Sequence, residues 1–297
     1  MDFELTKSQK DILKAAKEFA KGEFDKELAI ELDRKHEFPT KIWKKAADLG
    51  FIGIHYPEEY SGQGLGVLEN IIIADAFCAQ DSGIGSAVIL SSFATECVLR
   101  FGSEELKQKY LPAVAEGKML SSGAFTEPGR GSDITSLETT AVREGDEWVI
   151  NGSKMWITNA SEADTLVIYA KTDPDAGPRG ITAFLVEKDF KGFSIAQKLD
   201  KVGMRGSSTG ELVFEDCRIP AGNVLGSVDG GVYILMRGLD SERLVLSGGP
   251  LGIMQAAMDL VLPYVRERRQ FGRPIGTFQA LQHRMAEMLI ELEQARS

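Results

Sequence analysis

Apolar residues recur at helical spacing through the first third of the chain. The first stripe follows Thr6 and Gln9, whose spacing matches a capping box, and its members are Ile12, Leu13, Ala16, Phe19 and Ala20. The same spacing predicts further helices over 39–49, closed by Gly50, and over 68–79, 86–100 and 104–115. This part of the chain is therefore predicted to be helical.

After residue 118 the pattern changes to short extended runs separated by turn signals. Aromatic and β-branched residues flank Asn151-Gly152 in EGDEWVINGSKMWIT, which predicts a hairpin that turns at this dipeptide. Further strands are predicted over 165–172, 180–188, 192–199 and 210–217. Helical spacing returns behind Pro220 and Gly230 and continues to the last residue.

These patterns predict an α+β fold in three parts. An N-terminal helical domain covers 1–118, a central antiparallel β domain covers 119–228, and 229–297 begin a C-terminal helical bundle whose other helices we expect beyond this sequence. Strands grouped in the middle are not the βαβ alternation of a Rossmann domain. The glycine-rich HYPEEYSGQGLG is predicted to be a turn, because no strand precedes it. A nucleotide or flavin is therefore expected at a domain junction.

The charge balance limits the classes of partner. The chain has 34 Lys and Arg against 44 Asp and Glu, a formal net charge of −10, which disfavours nucleic acid or an anionic membrane surface. Cys78, Cys97 and Cys217 are widely spaced, so no disulfide framework or metal cluster is predicted. The N-terminal stretch lacks a basic and apolar leader, and no uninterrupted apolar run is long enough to span a membrane. We therefore expect no membrane span and a cytoplasmic location.

The segment TEPGRGSD at 126–133 is a first candidate for ligand binding. Gly129, Gly131 and Ser132 leave their backbone amides free of bulky side chains, which suits a phosphate or the electron-rich edge of a ring. The simpler interpretation of this segment alone is a tight β-turn.

The segment KMWITNAS at 154–161 is a second candidate. Strand alternation places Trp156 and Thr158 on one face and Ile157 on the other. That face would offer an aromatic ring and a hydroxyl group to a planar heterocycle. A buried tryptophan beside a satisfied threonine is the simpler interpretation.

Four motifs, in their order and spacing, resemble the acyl-CoA dehydrogenase family. They are TEPGRGSD, KMWITN, KLDKVGMRGSSTGELVFEDCRIP at 198–220 and RRQFGRPIGTFQALQHRMAEM at 268–288. The resemblance covers the whole chain. It implies a flavoprotein that uses FAD to oxidise an acyl-CoA substrate to its 2-enoyl-CoA and passes electrons to an electron-transfer flavoprotein.

The resemblance also implies roles for residues in the two candidate segments. The turn positions that match contacts to the flavin and its pyrophosphate are Phe125, Thr126, Gly131 and Ser132. Ser132 is also implied to reach the CoA portion of the substrate. Trp156 and Thr158 match a strand that lies against the isoalloxazine ring, with the threonine near flavin N5.

A third group of residues is implied to act across a subunit interface. Arg268, Gln270, Phe271 and Gln279 match family positions that contact the FAD of a neighbouring subunit, so a homotetramer is expected. Without the resemblance, this polar start of a helix would be interpreted as a solvated face.

The reaction requires a carboxylate that removes the α-proton while hydride leaves the β-carbon, and an apolar pocket would raise its pKa. Glu242, in GLDSERLVLSGGPLGIMQ at 238–255, matches the position of this base in a minority of the family. Asp240 and Arg243 match positions near CoA. On its own, Glu242 beside Arg243 would be interpreted as a surface ion pair.

The small residues at 247–250 predict either a kink in this helix or room for close backbone packing or a ligand.

The stretch around Glu242 is similar to members that act on short branched acyl chains, which implies an isovaleryl-CoA-like substrate and a place in leucine catabolism. Gly85 stands where glutaryl-specific relatives carry an arginine, which argues against a dicarboxylic substrate. A longer or cyclic acyl-CoA is the alternative within the family. A non-catalytic helical partner subunit is the alternative from a different class.

Overall fold

The computed structural model describes residues 4–297. The helices are α1 (Lys7–Glu23), α2 (Lys26–Lys35), α3 (Thr40–Asp48), α4 (Val67–Gln80), α5 (Ser82–Ile89), α6 (Thr95–Phe101), α7 (Glu104–Ala115), α8 (Gly231–Glu267) and α9 (Gln279–Arg296). The strands are β1 (Ser121–Ala124), β2 (Thr140–Glu144), β3 (Glu147–Thr158), β4 (Thr165–Lys171), β5 (Ile181–Glu187), β6 (Phe193–Lys198), β7 (Thr209–Pro220), β8 (Val224–Leu225), β9 (Arg269–Gln270) and β10 (Arg273–Pro274). The predicted α+β order is confirmed. Residues 1–3, part of the stretch in which no leader is predicted, lie outside the described residues.

The N-terminal helices follow the predicted apolar stripes, with one addition. Thr6 caps α1, and both hydrogen bonds of the capping box with Gln9 are present. Helix α2 has no predicted counterpart because its sequence is mostly polar and it buries no residue completely. It begins where Asp25 Oδ1 accepts a hydrogen bond from Leu28 N at 3.0 Å.

The single helix predicted over 86–100 is wrong, because two helices occupy this region. Asp81 caps α5 by accepting from Ile84 N at 2.8 Å, and α5 ends at Ile89. The chain then leaves the helical conformation, so that Ser92 forms a bridge to Ser121 and Ala94 adopts a φ of 66°. The apolar spacing runs on through this break, so the pattern alone does not show it.

Strands β1 to β8 form one mixed sheet. Its strand order is β6-β7-β3-β2-β4-β5-β8, and β1 pairs with β4. Most neighbours are antiparallel, as predicted, but β1 and β2 both pair in parallel with β4. Because β4 is buried along nearly its whole length, both faces of the sheet are covered around it.

The hairpin predicted at Asn151-Gly152 turns elsewhere. The turn between β2 and β3 lies at Gly145, which adopts a φ of 62°. Strand β3 continues through Asn151, whose Oδ1 accepts from Asp216 N at 2.8 Å. Gly152 permits a close approach, because a Cβ there would lie 2.6 Å from Thr139 Oγ1. The predicted turn at this dipeptide is therefore wrong, and Gly152 instead serves a close backbone approach.

Helix α8 is continuous across residues 247–250, so the small side chains there serve close packing. A Cβ at Gly248 would lie 2.5 Å from Ile71 O, and one at Gly252 would lie 2.2 Å from Asp75 O, both on α4. By length and composition α8 could also cross a membrane, although helices of other kinds pass the same test. In this structure α8 packs mainly along α4 and also contacts α6, α9 and β5.

Two apolar clusters place α6, α8 and β4 together. The first joins the N-terminal helices to one face of the sheet, with Phe77 and Phe184 among its fully buried members. The second packs Leu235 of α8 and Cys97 of α6 against Tyr169 of β4. The junction of the helices and the sheet is therefore a packed interior from which side chains can be positioned accurately.

We expect Gly252→Ala to lower the free energy of unfolding by about 1–3 kcal/mol, because the added methyl group would push α8 away from α4. The matched control is Gly249→Ala, where the nearest atom to an added Cβ lies 3.5 Å away. Alanine there should stabilise the helix by up to about 1 kcal/mol. Urea unfolding measures both variants, and equal stabilities would contradict the packing contact.

Candidate active site

The segment 126–133 forms an open turn shortly after β1. Glu127 and Arg130 exchange backbone hydrogen bonds of 3.0 and 3.1 Å. A Cβ added at Gly129 or Gly131 would meet nothing within 4 Å, and Ser132 is exposed. The turn therefore leaves its backbone accessible to a ligand, which is the arrangement that suits an anionic group.

A buried ion pair joins this turn to β3. Lys154 Nζ lies 2.8 Å from Glu127 Oε1, and the two side chains are 0% and 5% exposed. Glu127 also accepts hydrogen bonds from Thr139 Oγ1 at 2.6 Å and from the backbone N–H groups of Glu138 and Thr139 at 2.6 and 3.0 Å. The carboxylate is thus fully supplied with donors, as a buried charge requires.

The pair shifts the pKa of both groups. Burial lowers the pKa of Lys154 to about 8, although the charge of Glu127 acts in the opposite direction. Burial alone would raise the pKa of Glu127, but the lysine charge and the hydrogen bonds hold it below its ordinary value. Both groups are therefore mainly charged at pH 7.

Backbone contacts complete the junction between the turn and β3. Met155 N donates to Thr126 O at 2.9 Å, and Lys154 Nζ donates to Phe125 O at 3.4 Å. The two segments singled out from the sequence therefore lie side by side.

Strand β3 bulges at this junction. Its pairing with β7 shifts between Lys154 and Ile157, and Trp156 in the bulge adopts a φ of 64°. The indole is 63% exposed, whereas Ile157 is buried and Thr158 is partly exposed. The burial agrees with the predicted alternation, but the bulge sets the direction of Trp156. A positive φ is strained for a tryptophan and is typical of functional positions.

Glu242 reaches from α8 into a pocket beside α6. Its Oε1 accepts a hydrogen bond from Ala94 N at 2.7 Å. Apolar side chains of the wall include Val67, Ile89 and Val245. Burial raises the pKa of Glu242 to about 8; the Ala94 N–H lowers it and the charge of Glu96 raises it further. The structure therefore supplies the enclosed carboxyl group that sequence reasoning required of a base.

The neighbours of Glu242 on α8 point to solvent. Asp240 and Arg243 are exposed, and within residues 4–297 no ion pair joins Arg243 to Glu242. The interpretation of Glu242 as half of a surface ion pair therefore does not describe this structure.

The third predicted group lies apart from both sites. Arg268, Gln270 and Phe271 belong to the connection from α8 to α9, and Gln279 is the first residue of α9. All four are exposed, with Phe271 at 91%. Among the described residues, no hydrogen bond or ring contact joins them to the turn or to Trp156. The structure of one chain therefore does not bring these four residues into contact with the turn at 126–133 or with Trp156.

Sequence reasoning did not single out the ion pair of Lys154 and Glu127, nor His55 and Glu96, which line the Glu242 pocket. A lysine inside a strand is a weak signal, because the side chain is usually solvated. Its partner lies 27 residues earlier, so spacing along the chain does not reveal the pair.

Family models match the chain along most of its length. The N-terminal, middle and C-terminal domains of acyl-CoA dehydrogenase match residues 6–118, 122–217 and 229–297. The chain belongs to the acyl-CoA dehydrogenase family, as the sequence motifs predicted.

Two curated relatives show which members of the family this chain is similar to. The mitochondrial isovaleryl-CoA dehydrogenase of Solanum tuberosum is 49% identical over 272 residues, which are 91% of this chain and 66% of the relative. The chain thus spans just under two thirds of that protein's length. A short-chain specific acyl-CoA dehydrogenase of Clostridium acetobutylicum is 42% identical and covers 100% of this chain and 78% of the relative.

Solved structures share the fold. One, described as the electron transferring flavoprotein of Acidaminococcus fermentans, has a TM-score of 0.95 and 42% identity, covering 100% of this chain and 78% of that chain. The FAD complex of PigA has a TM-score of 0.93 and 34% identity, and the match covers 99% of this chain and 77% of that chain. The comparisons indicate FAD as the cofactor. The open glycine turn, joined to an exposed indole, fits such a group.

We expect Lys154→Met to destabilise the protein by about 3–5 kcal/mol, because it leaves the charge of Glu127 buried without its partner. Its matched control is Lys188→Met: Lys188 Nζ lies 2.6 Å from Asp164 Oδ1, but the lysine side chain is 47% exposed, so the cost should stay below about 1 kcal/mol. Urea unfolding and FAD titration by fluorescence measure the effects. FAD affinity should fall only in Lys154→Met, and equal effects of the two variants would contradict the assigned role.

Glu242→Gln should become more stable than the parent protein as the pH rises from about 4.5 to about 8. The folded pKa is about 8, above the ordinary value of 4.5. Below pH 4.5 neither state loses the proton, so no difference is expected; between the two values only the unfolded state ionises, which costs the parent at most about 1.4 kcal/mol per pH unit. Melting temperatures measured from pH 4 to 9 test this, and a constant difference would contradict the raised pKa.

Proposed function

We propose that this protein catalyses the FAD-dependent α,β-dehydrogenation of a short branched acyl-CoA, with isovaleryl-CoA as the representative substrate. The observation that carries the proposal is the carboxyl group of Glu242, enclosed in a largely apolar pocket and hydrogen-bonded to Ala94 N. Family membership supports the reaction class, and 49% identity to a plant isovaleryl-CoA dehydrogenase supports the acyl chain.

Glu242 is the base in this proposal. It takes the α-proton of the thioester in its ionised form. Because its pKa is about 8, this form is a stronger proton acceptor than an ionised solvated glutamate, and it becomes the main form only above about pH 8. Largely apolar side chains surround the carboxyl group, and Ala94 N donates to one of its oxygens, so the other is free for the substrate.

The chemistry that bound FAD would supply is acceptance of a hydride from the β-carbon. On this chain Phe125, Thr126, Gly131 and Ser132 would bind it along the turn, because the glycines there leave the amides open. Trp156 would lie against the ring, and the Thr158 hydroxyl would donate a hydrogen bond near its reactive nitrogen. The bulge in β3 and the buried ion pair orient the turn residues and the β3 residues relative to each other.

The exposed group of Arg268, Gln270, Phe271 and Gln279 would bind the FAD of a second copy. An almost fully exposed phenylalanine beside charged residues is typical of an interface. We therefore propose a homotetramer as the assembled form and an electron-transfer flavoprotein as the electron acceptor.

The CoA portion would lie near Ser132, Asp240 and Arg243, which are all exposed. Gly85 packs α5 against α4, because a Cβ there would lie 2.8 Å from the carbonyl carbon of Phe77. This position therefore offers no cationic side chain for a second carboxylate, which supports a substrate without one.

The experiment is a substrate panel on the protein reconstituted with FAD. Isovaleryl-CoA should bleach the flavin absorption faster than butyryl-, palmitoyl- or cyclic acyl-CoA. Preference for one of the other thioesters would overturn the branched-chain assignment while keeping the reaction class. Absence of FAD binding would overturn both.

Glu242→Gln should bind FAD normally and lose turnover by at least about 100-fold, because it cannot accept the proton. The control is Glu267→Gln at the exposed end of α8, which should keep full activity. Turnover of Glu242→Gln at the parental rate would show that another group is the base.

A further inference from the structure

A second carboxylate lies in the pocket of Glu242 and has no role in the proposed reaction. Glu96 is buried, and its Oε2 lies 3.2 Å from His55 Nε2. Its Oε1 accepts a hydrogen bond from Arg100 Nε. The other ring nitrogen of His55, Nδ1, lies 2.8 Å from Asn70 Nδ2. Glu96 is therefore held from two sides rather than free to rotate.

The start of α6 connects this group to Glu242. Ala94, the N-cap residue of α6, adopts a φ of 66° and donates its N–H to Glu242 Oε1. Glu96 lies two residues later, in the first turn of the helix. One short backbone segment thus sets the position of both carboxyl groups, and both line the same pocket.

The remaining groups around Glu242 leave Glu96 as the main nearby negative charge. Burial raises the pKa of the Cys97 thiol to about 12 and raises that of the Tyr169 phenol far above its ordinary value, so both are neutral. Burial alone would raise the pKa of Glu96, but hydrogen bonds from His55 and Arg100 hold it below its ordinary value.

Positive charge in this region comes from Arg100, whose side chain is 46% exposed. His55 contributes a ring that donates to Glu96 when Nε2 carries the proton. On α8, Asp240 and Arg243 are exposed and screened by water.

We propose that Glu96, fixed by His55 and Arg100, is a positioning residue whose charge strengthens Glu242 as the base. The proposal rests on the proposed function for its consequence in catalysis. The electrostatic interaction on which it depends, a coupling between the charges of Glu96 and Glu242, can be tested without cofactor or substrate. A negative charge near a carboxyl group favours its protonated form and makes the ionised form a better proton acceptor.

The first experiment is a double-mutant cycle on folding stability. The gain in stability from Glu242→Gln is measured against pH in the parent and in Glu96→Gln. In the Glu96→Gln background the gain should level off at a lower pH, because only the folded pKa of Glu242 falls, and the gain at pH 8 should be smaller. Glu105→Gln, an exposed carboxylate of α7, is the control and should leave the profile unchanged.

Arg100→Gln tests the same coupling with the opposite sign. Removing this positive charge leaves Glu96 less neutralised, so the Glu242→Gln gain should level off at a higher pH and reach a larger value. Because the Arg100 side chain is about half exposed, this variant also serves if Glu96→Gln fails to fold. Unchanged profiles, or shifts of the same sign in both variants, would overturn the proposal.

The second experiment links the coupling to the reaction. In the FAD-loaded protein, the acid limb of kcat/KM should move to lower pH in Glu96→Gln, and the maximal rate of flavin reduction at high pH should fall. A loss of rate with an unshifted acid limb would indicate a structural role and overturn the proposal. If Glu242→Gln keeps its turnover while the stability cycle shows coupling, the base assignment fails and the electrostatic coupling stands.

Discussion

The ion pair between Lys154 and Glu127 is the contact on which the arrangement of the turn at 126–133 against β3 depends. A charge without water needs every available donor or acceptor, and Glu127 obtains its donors from β3 and from the chain just before β2. The turn at 126–133 therefore cannot slide along β3 without leaving a charge unpaired. The open amides and the exposed indole of Trp156 are consequently held at a fixed spacing, although both lie at the surface where loops are otherwise free to move.

The carboxyl group of Glu242 is positioned by different means. Its helix is placed by backbone contact at Gly248 and Gly252, and its oxygen is held by Ala94 N. The sheet carries the residues proposed to bind the flavin, and α8 carries the proposed base, so the proposed reaction would require these two surfaces to lie together. They meet where Tyr169 of β4 packs beneath α6 and α8, which explains why a family site can lie at a domain junction without a nucleotide-binding βαβ unit.

Much of the fold could be predicted because its signals are local. The bounds of α7 and the cap at Thr6 follow from neighbouring residues, and the order of helices and strands follows from the change in hydrophobic period. The hairpin at Asn151-Gly152 was wrong because a glycine permits close approach as readily as a turn, and only the distant Thr139 decides between them. The motifs singled out the turn and Glu242, but partners 27 and 148 residues away in sequence leave no local pattern.

The contact between α8 and α4 gives residues far from the pocket an influence on the chemistry. Gly248 lies six residues beyond Glu242, or about 9 Å along the helix axis, and its backbone rests on α4 with no side chain between them. Because the helix is stiff, a displacement of α8 at this contact would also displace Glu242. A larger side chain at Ala74, which faces Gly248, would displace the carboxyl group without touching the pocket, and a displacement of about 1 Å can slow a reaction about 100-fold. The rate of the proposed reaction would in this way depend on a close contact between Gly248 and Ala74, two residues that do not line the pocket.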